Sequence, residues 1–148
     1  MINVVIISNN PAQDLGALSQ YDDMNILKVL PTTIENIIEQ VGEAQPDIIV
    51  IADATETNSR DRLCHFLAKH YRYARNLILT DSSPTFEMLE NSGFRARGYI
   101  TPDQHNMIPK AVRVVFDGEA WLPRKLVTEM LNRFTASFLG DIDSDKAP

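Results

Sequence analysis

Side chains able to hold a ligand or carry a reaction collect just behind the short apolar runs of this chain. Ser8 and Asn9 follow Ile2 to Ile7. Ala52 and Asp53 follow Ile48 to Ile51, Thr80 and Asp81 close the run from Asn76, and Thr101 and Pro102 follow Gly98-Tyr99-Ile100. The set offers hydroxyls, one amide and two carboxylates, and no lysine or arginine stands among them. No His, Asp and Ser converge there. The chain has no glycine-rich phosphate loop of the GxGxxG or GxxxxGK type and no serine elbow, so an enzyme is not expected. A second chemical candidate is Trp121-Leu122-Pro123-Arg124. Its indole offers a π-face, and its guanidinium can stack on a guanine or pair with the acceptor edge and phosphates. His65 and His70 are five apart, poor spacing for two ligands on one helix face; with His105 they read as surface or packing residues. The single Cys64 excludes an internal disulfide, argues against a cysteine zinc site and reads as a small buried filler.

The elements that must position these residues follow from the apolar pattern. Ile2 to Ile7 reads as a strand, and Pro11 opens a helix with Leu15 and Leu18 inward. Asn25 to Leu30 is a second strand. Thr32 with Glu35 has capping-box spacing, Ile34, Ile37, Ile38 and Val41 recur at helical period, and Gly42 is a stop. Ile48 to Ile51 is unbroken apolar, as in a strand covered on both faces. A helix over Arg60 to Tyr73 carries Leu63, Phe66 and Leu67. Asn76 to Thr80 is a fourth strand, Ser83-Pro84 opens a short helix, and Gly98 to Ile100 is a fifth strand. Asn106 to Asp117 is a helix with Ile108, Ala111, Val112 and Val115 on one face. Strands alternating with helices in this way give a three-layer α/β sandwich with a parallel sheet, whose chemistry sits at the carboxyl ends of the strands. A last helix carries Leu122, Leu126, Met130 and Phe134 at i, i+4, i+8 and i+12.

Composition narrows the classes. With 148 residues the chain suits one domain with a normal core, and 44% hydrophobic with 23% charged residues is an ordinary globular balance. A net charge of −6 argues against a domain that grips nucleic acid by itself. No apolar run is long enough to span a membrane, and no secretion signal is evident, which favours the cytoplasm. Arg60, Arg62, Arg72, Arg75, Arg95 and Arg97 are scattered and read as solvated surface.

The order of elements over roughly residues 2 to 117 resembles the receiver domain of two-component response regulators, within them the LuxR/NarL-type transcription factors. Arg97-Gly98-Tyr99-Ile100 and the stretch Ala111 to Arg124 look like the end of such a receiver and its linker helix. The resemblance implies a flavodoxin-like fold, a five-stranded parallel sheet in the order 2-1-3-4-5, plus an extra C-terminal helix. It places the magnesium-holding acidic pair on Ser8 and Asn9, the phosphoacceptor on Ala52, the switch hydroxyl on Thr80, and the aromatic switch on Tyr99. The phosphoryl-pairing lysine falls on Pro102, or on Thr101 if the register slips by one. Magnesium wants hard, mostly anionic oxygens, and Ser8 and Asn9 give only neutral ones. Ala52 has no nucleophile, and Asp53 replaces it only if the loop starts one residue early.

The resemblance therefore implies a degenerate receiver: fold kept, phosphoryl chemistry removed, no cofactor required. Residues 1–118 form the receiver-like domain, 119–138 a linker or dimerisation helix, and 139–148 a disordered tail. The expected partners are a second copy, through Leu122, Leu126, Met130 and Phe134, and an attached or separate DNA-binding output domain. The alternative is a cyclic di-GMP sensor. Some LuxR-type regulators with degenerate receivers bind that nucleotide through a Trp, an apolar residue, Thr or Ser, then Arg. Trp121, Leu122 and Arg124 match this, and Pro123 departs from it.

Overall fold

The computed structural model describes residues 1–11, 18 and 20–146, with side chains to Leu139. Five strands form one parallel sheet: β1 (Ile2–Ile7), β2 (Met24–Val29), β3 (Ile48–Ile51), β4 (Arg75–Leu79) and β5 (Ala96–Ile100), in the order β2-β1-β3-β4-β5. Among the described residues the helices are α1 (Ile34–Ala44), α2 (Arg60–His70), α3 (Phe86–Asn91), α4 (Ile108–Phe116) and α5 (Arg124–Lys146), and a 3-10 turn (Pro102–Met107) leads into α4. The expected architecture and strand order are both present. The expected first helix, with Leu15, lies outside the described residues, whereas Leu18 is buried.

Side chains alternate along each central strand and so build two cores. Ile49 and Ile51 of β3 face Ile37 and Val41 of α1, Leu63 and Leu67 of α2 and Leu89 of α3. Ile48, Val50 and Ala52 face Ala111, Val112 and Val115 of α4. β3 is buried at all four positions, which is why it shows no polar alternation in sequence.

Several local boundaries differ from the sequence reading. Thr33, not Thr32, caps α1, accepting the Asn36 N–H at 3.1 Å, while Thr32 accepts from the Asn36 side chain. Gly42 does not stop α1. The helix passes through it to Ala44 and ends on Gln45 in the left-handed region (φ 48). Gly42 serves a close approach instead: a Cβ there would lie 2.7 Å from the Tyr71 hydroxyl. α2 ends at His70 rather than Tyr73, and Thr85, not Ser83-Pro84, opens α3 by accepting the Met88 N–H. The expected disordered tail is helical through Lys146. A lone glycine such as Gly140 costs about 1 kcal/mol in a helix without ending it, and the next proline is Pro148.

The last helix meets the domain on the face chosen from the sequence, with a different consequence. Leu126 is 2% exposed in the core, and Leu122 and Met130 pack against the same cluster. Phe134 meets Phe94 (centroids 6.1 Å apart), which meets Phe86 of α3 at 5.7 Å, and the Arg133 guanidinium lies over the Phe86 ring at 4.3 Å. The stripe read as a dimer helix is therefore largely the intramolecular face, because α3 and Phe94 supply an apolar surface beside α5. Beyond Met130 every side chain to Leu139 is exposed.

Candidate functional site

The exits of β1, β3, β4 and β5 surround a concave pocket of about 730 Å³, lined among others by Asn9, Ala52, Asp53, Arg60, Thr80 and Asp81. Ala52 keeps the alternation of Ile48 and Val50, is buried, and brings a methyl to the rim. The chain bends at Ala52, and Asp53 follows in irregular backbone. The N–H groups of Ala52 and Asp53 both donate to the Ile7 carbonyl, and an Asp53 carboxylate oxygen accepts the Asn9 N–H at 2.7 Å. Asp53 thus fastens the β3 exit to the β1 exit.

The hydroxyls here are engaged in local turns. Ser8 is fully buried, and its Oγ accepts the Asn10 N–H at 3.0 Å. Thr80 Oγ1 donates to the Ser82 carbonyl and accepts the Ser82 N–H, closing the turn after β4. Thr101 donates to Asp103 and caps the 3-10 turn that Pro102 opens. Pro102 and His105 complete the pocket wall.

The cation missing from the sequence list is supplied by Arg60, which corrects its reading as solvated surface. Arg60 Nη1 donates to the Leu79 carbonyl at 2.6 Å and the Ala52 carbonyl at 3.3 Å, and Nη2 meets Asp81 at 2.7 Å. Its partners lie 8, 19 and 21 residues away. One signal was available. Ser59 caps α2, so Arg60 is the first residue of the helix, where the macrodipole disfavours positive charge. A cation there needs oxygens from elsewhere.

Asp61, the next residue, was also missed. It is 8% exposed, and it accepts the Tyr99 hydroxyl at 2.8 Å. Burial raises its carboxyl above the usual range, partly countered by the Tyr99 hydroxyl and the Arg60 charge. Burial, with the Asp61 charge next, pushes the Tyr99 phenol far upward, so Tyr99 stays a neutral donor. Tyr99 is 1% exposed, aimed into the core and tied to α2.

The residues do not fit the magnesium ion that the resemblance implies. Ser8 and Asn9 give neutral oxygens, and a guanidinium lies across the neighbouring carbonyls. Among the described residues no three His, Cys, Asp or Glu side chains gather closely enough to hold a metal ion. No described helix is long and apolar enough to cross a membrane.

Trp121 is placed by its backbone. Its N–H donates to the Arg97 carbonyl and its carbonyl accepts the Tyr99 N–H, forming a parallel bridge opposite Gly98 on the outer edge of β5. The concavity beside Trp121, Leu122 and Pro123 is about 230 Å³, and Arg124 is exposed.

No protein-family model matches the chain. Among solved structures it is similar to the receiver domain of RcsB from Salmonella enterica serovar Typhimurium with a beryllium fluoride phosphomimetic (TM-score 0.68, 14% identity, 86% of this chain and 96% of that one). It is also similar to a LuxR-family two-component response regulator from Aurantimonas sp. SI85-9A1 (TM-score 0.72, 14% identity, 91% and 99%). A third is the receiver domain of the response regulator NarL from Mycobacterium tuberculosis (TM-score 0.66, 17% identity, 80% and 98%). The chain has the fold of the receiver domains of LuxR- and NarL-type response regulators. In sequence it is similar to the oxygen regulatory protein NreC of Staphylococcus aureus strain MRSA252, 24% identical over 156 aligned residues and 99% of this chain. NreC of Staphylococcus epidermidis strain ATCC 12228 is 27% identical over 124 residues and 79% of this chain. The chain spans 70% and 54% of those two proteins.

Proposed function

We propose that this chain is a phosphorylation-incompetent, receiver-like regulatory domain of a LuxR-type transcriptional response regulator, acting in the cytoplasm through dimerisation and protein contact. The observation that carries the reading is the exit of β3. Ala52 brings a methyl to the position that the resemblance gives to the acceptor, and Asp53 is turned to the Asn9 N–H. Phosphoryl transfer depends on charge stabilisation around the transferring group. Arg60, which lines this pocket, is already engaged with the Leu79 and Ala52 carbonyls and Asp81.

Dimerisation falls to the outer face of α5. Val127, Leu131 and Phe138 are 38%, 61% and 64% exposed, and they recur at i, i+4 and i+11. That spacing is a two-heptad seam, and a second copy offers the matching one. RcsB, a neighbour in fold, is known in complex with DNA. By analogy an output domain, attached or separate, binds DNA for this acidic domain.

The cyclic di-GMP alternative has less support. Trp121 is taken up by the sheet edge, and the concavity beside it is smaller than the roughly 300–1,000 Å³ usual for ligand pockets.

The deciding experiment treats the chain with acetyl phosphate, or with beryllium fluoride, in the presence of magnesium. Elution volume and near-ultraviolet spectra should not move. A clear shift on treatment shows that Asp53 or another carboxylate accepts the group, and the reading fails.

A further inference from the structure

Arg60 occupies a place built for a cation. Two peptide carbonyls from adjacent strand exits, Ala52 and Leu79, and the Asp81 carboxylate converge on one guanidinium. Asp53 stands on the same pocket wall. Carbonyls and carboxylates together are the donor class that hard divalent ions take. A side chain fills that environment here, and a guanidinium does not give up its charge in a protein. Helix preference does not explain the position, since positive charge is disfavoured on the first turn of α2. The oxygens hold it there. The arrangement also reaches further than the pocket: Arg60 ties α2 to the β3 and β4 exits, and the adjacent Asp61 ties it to Tyr99 of β5.

We propose that Arg60 is a built-in counter-cation that seals the strand-end pocket against divalent metal ions, so that removing it turns the same oxygens into a divalent-cation site. The inference rests on the reading that this pocket carries no phosphoryl chemistry, and it names the residue that keeps the metal out. In the native chain the counter-cation is part of α2 itself, so unlike a bound metal ion it is not lost to solution by dilution or chelation. Without Arg60, the Ala52 and Leu79 carbonyls and the Asp81 carboxylate lose their cation, and Asp53 lines the same concavity.

The test titrates manganese(II) into the chain and follows the free ion by electron paramagnetic resonance, with the fold checked by circular dichroism. The wild type should bind weakly. Arg60→Ala should bind at least about tenfold more tightly, and Arg60→Ala/Asp81→Ala should lose the gain. Arg60→Met keeps an unbranched stem for packing while removing both the charge and the donors, and it replaces Arg60→Ala if that variant does not fold. Submillimolar affinity in the wild type overturns the proposal. So does a folded Arg60 variant that binds no better than wild type, or a gain that survives loss of Asp81. Acetyl phosphate run in parallel separates the two readings. A wild-type response to it sinks the proposed function, whereas an inert wild type with a metal-blind Arg60 variant sinks only the counter-cation.

Discussion

Tyr99 donates its hydroxyl to the buried carboxylate of Asp61 at 2.8 Å, and this bond joins the outermost strand of the sheet to the first turn of α2. The same tyrosine gives its backbone N–H to the Trp121 carbonyl. One residue therefore links the strand-end region to the segment from which α5 departs. Removing the hydroxyl leaves a buried carboxylate short of a donor, a loss of about 1–3 kcal/mol. Tyr99→Phe should lower the stability measured in urea by that amount.

Asp61 also predicts how stability depends on pH. Burial raises its carboxyl above the ordinary value of 3.8, so the folded chain holds this proton more tightly than the unfolded chain. The contribution is complete below about 3.8 and is lost as pH rises through the raised folded value. Asp61→Asn keeps an acceptor for Tyr99 and removes the titration. Denaturation at a series of pH values should show this variant gaining on wild type as pH rises from 4 to 7. A difference that does not change over that range would refute the shift.

Gly98 is the residue on which Trp121 docks. A Cβ there would lie 2.5 Å from Leu77 Cδ2, 2.8 Å from Trp121 Cβ and 2.9 Å from the Trp121 carbonyl oxygen. The backbone atoms cannot give way without breaking the bridge. Gly98→Ala should cost about 1–3 kcal/mol. Trp121 is the chain's single tryptophan, so its emission should shift to the red as the indole leaves the sheet edge.

The order of elements was legible because fully buried strands appear as unbroken β-branched runs between turn residues, as at Ile48 to Ile51. The burial of Ala52 at the β3 exit was legible for the same reason: register follows once the strand is placed. Arg60 was not legible, because its partners are backbone carbonyls whose identity no side chain records. The inner face of α5 was ambiguous in another way. Leu122, Leu126 and Met130 form one apolar stripe and Val127, Leu131 and Phe138 another, and both fit helical periodicity. Only the placement of Phe86 and Phe94 decides which of them turns inward.

Cys64 gives a direct measure of opening in this core. The thiol is fully buried, and burial, with the Asp61 charge next, pushes it up to about 12. Neither the thiolate nor the access that reaction requires is present in the folded chain. An aromatic disulfide reagent at neutral pH should therefore react only as fast as the domain opens. Tyr99→Phe should accelerate labelling about tenfold for each ~1.4 kcal/mol of stability it loses. Labelling of the wild type at the rate of a free thiol would contradict the burial.

The two faces of α5 separate folding from association. Leu126 is 2% exposed, so Leu126→Ala should cost about 2–5 kcal/mol whatever the oligomeric state. Leu131 is 61% exposed and lies on the outer seam. Leu131→Asp should leave the stability of the single chain within about 0.5 kcal/mol, as exposed substitutions usually do. It should also place a charge at the centre of any two-copy seam and reduce the mass seen by light scattering from two chains to one. Phe138→Asp, two helical turns further along, should act in the same direction. If both variants keep the wild-type mass while the wild type is dimeric, the dimer is built elsewhere.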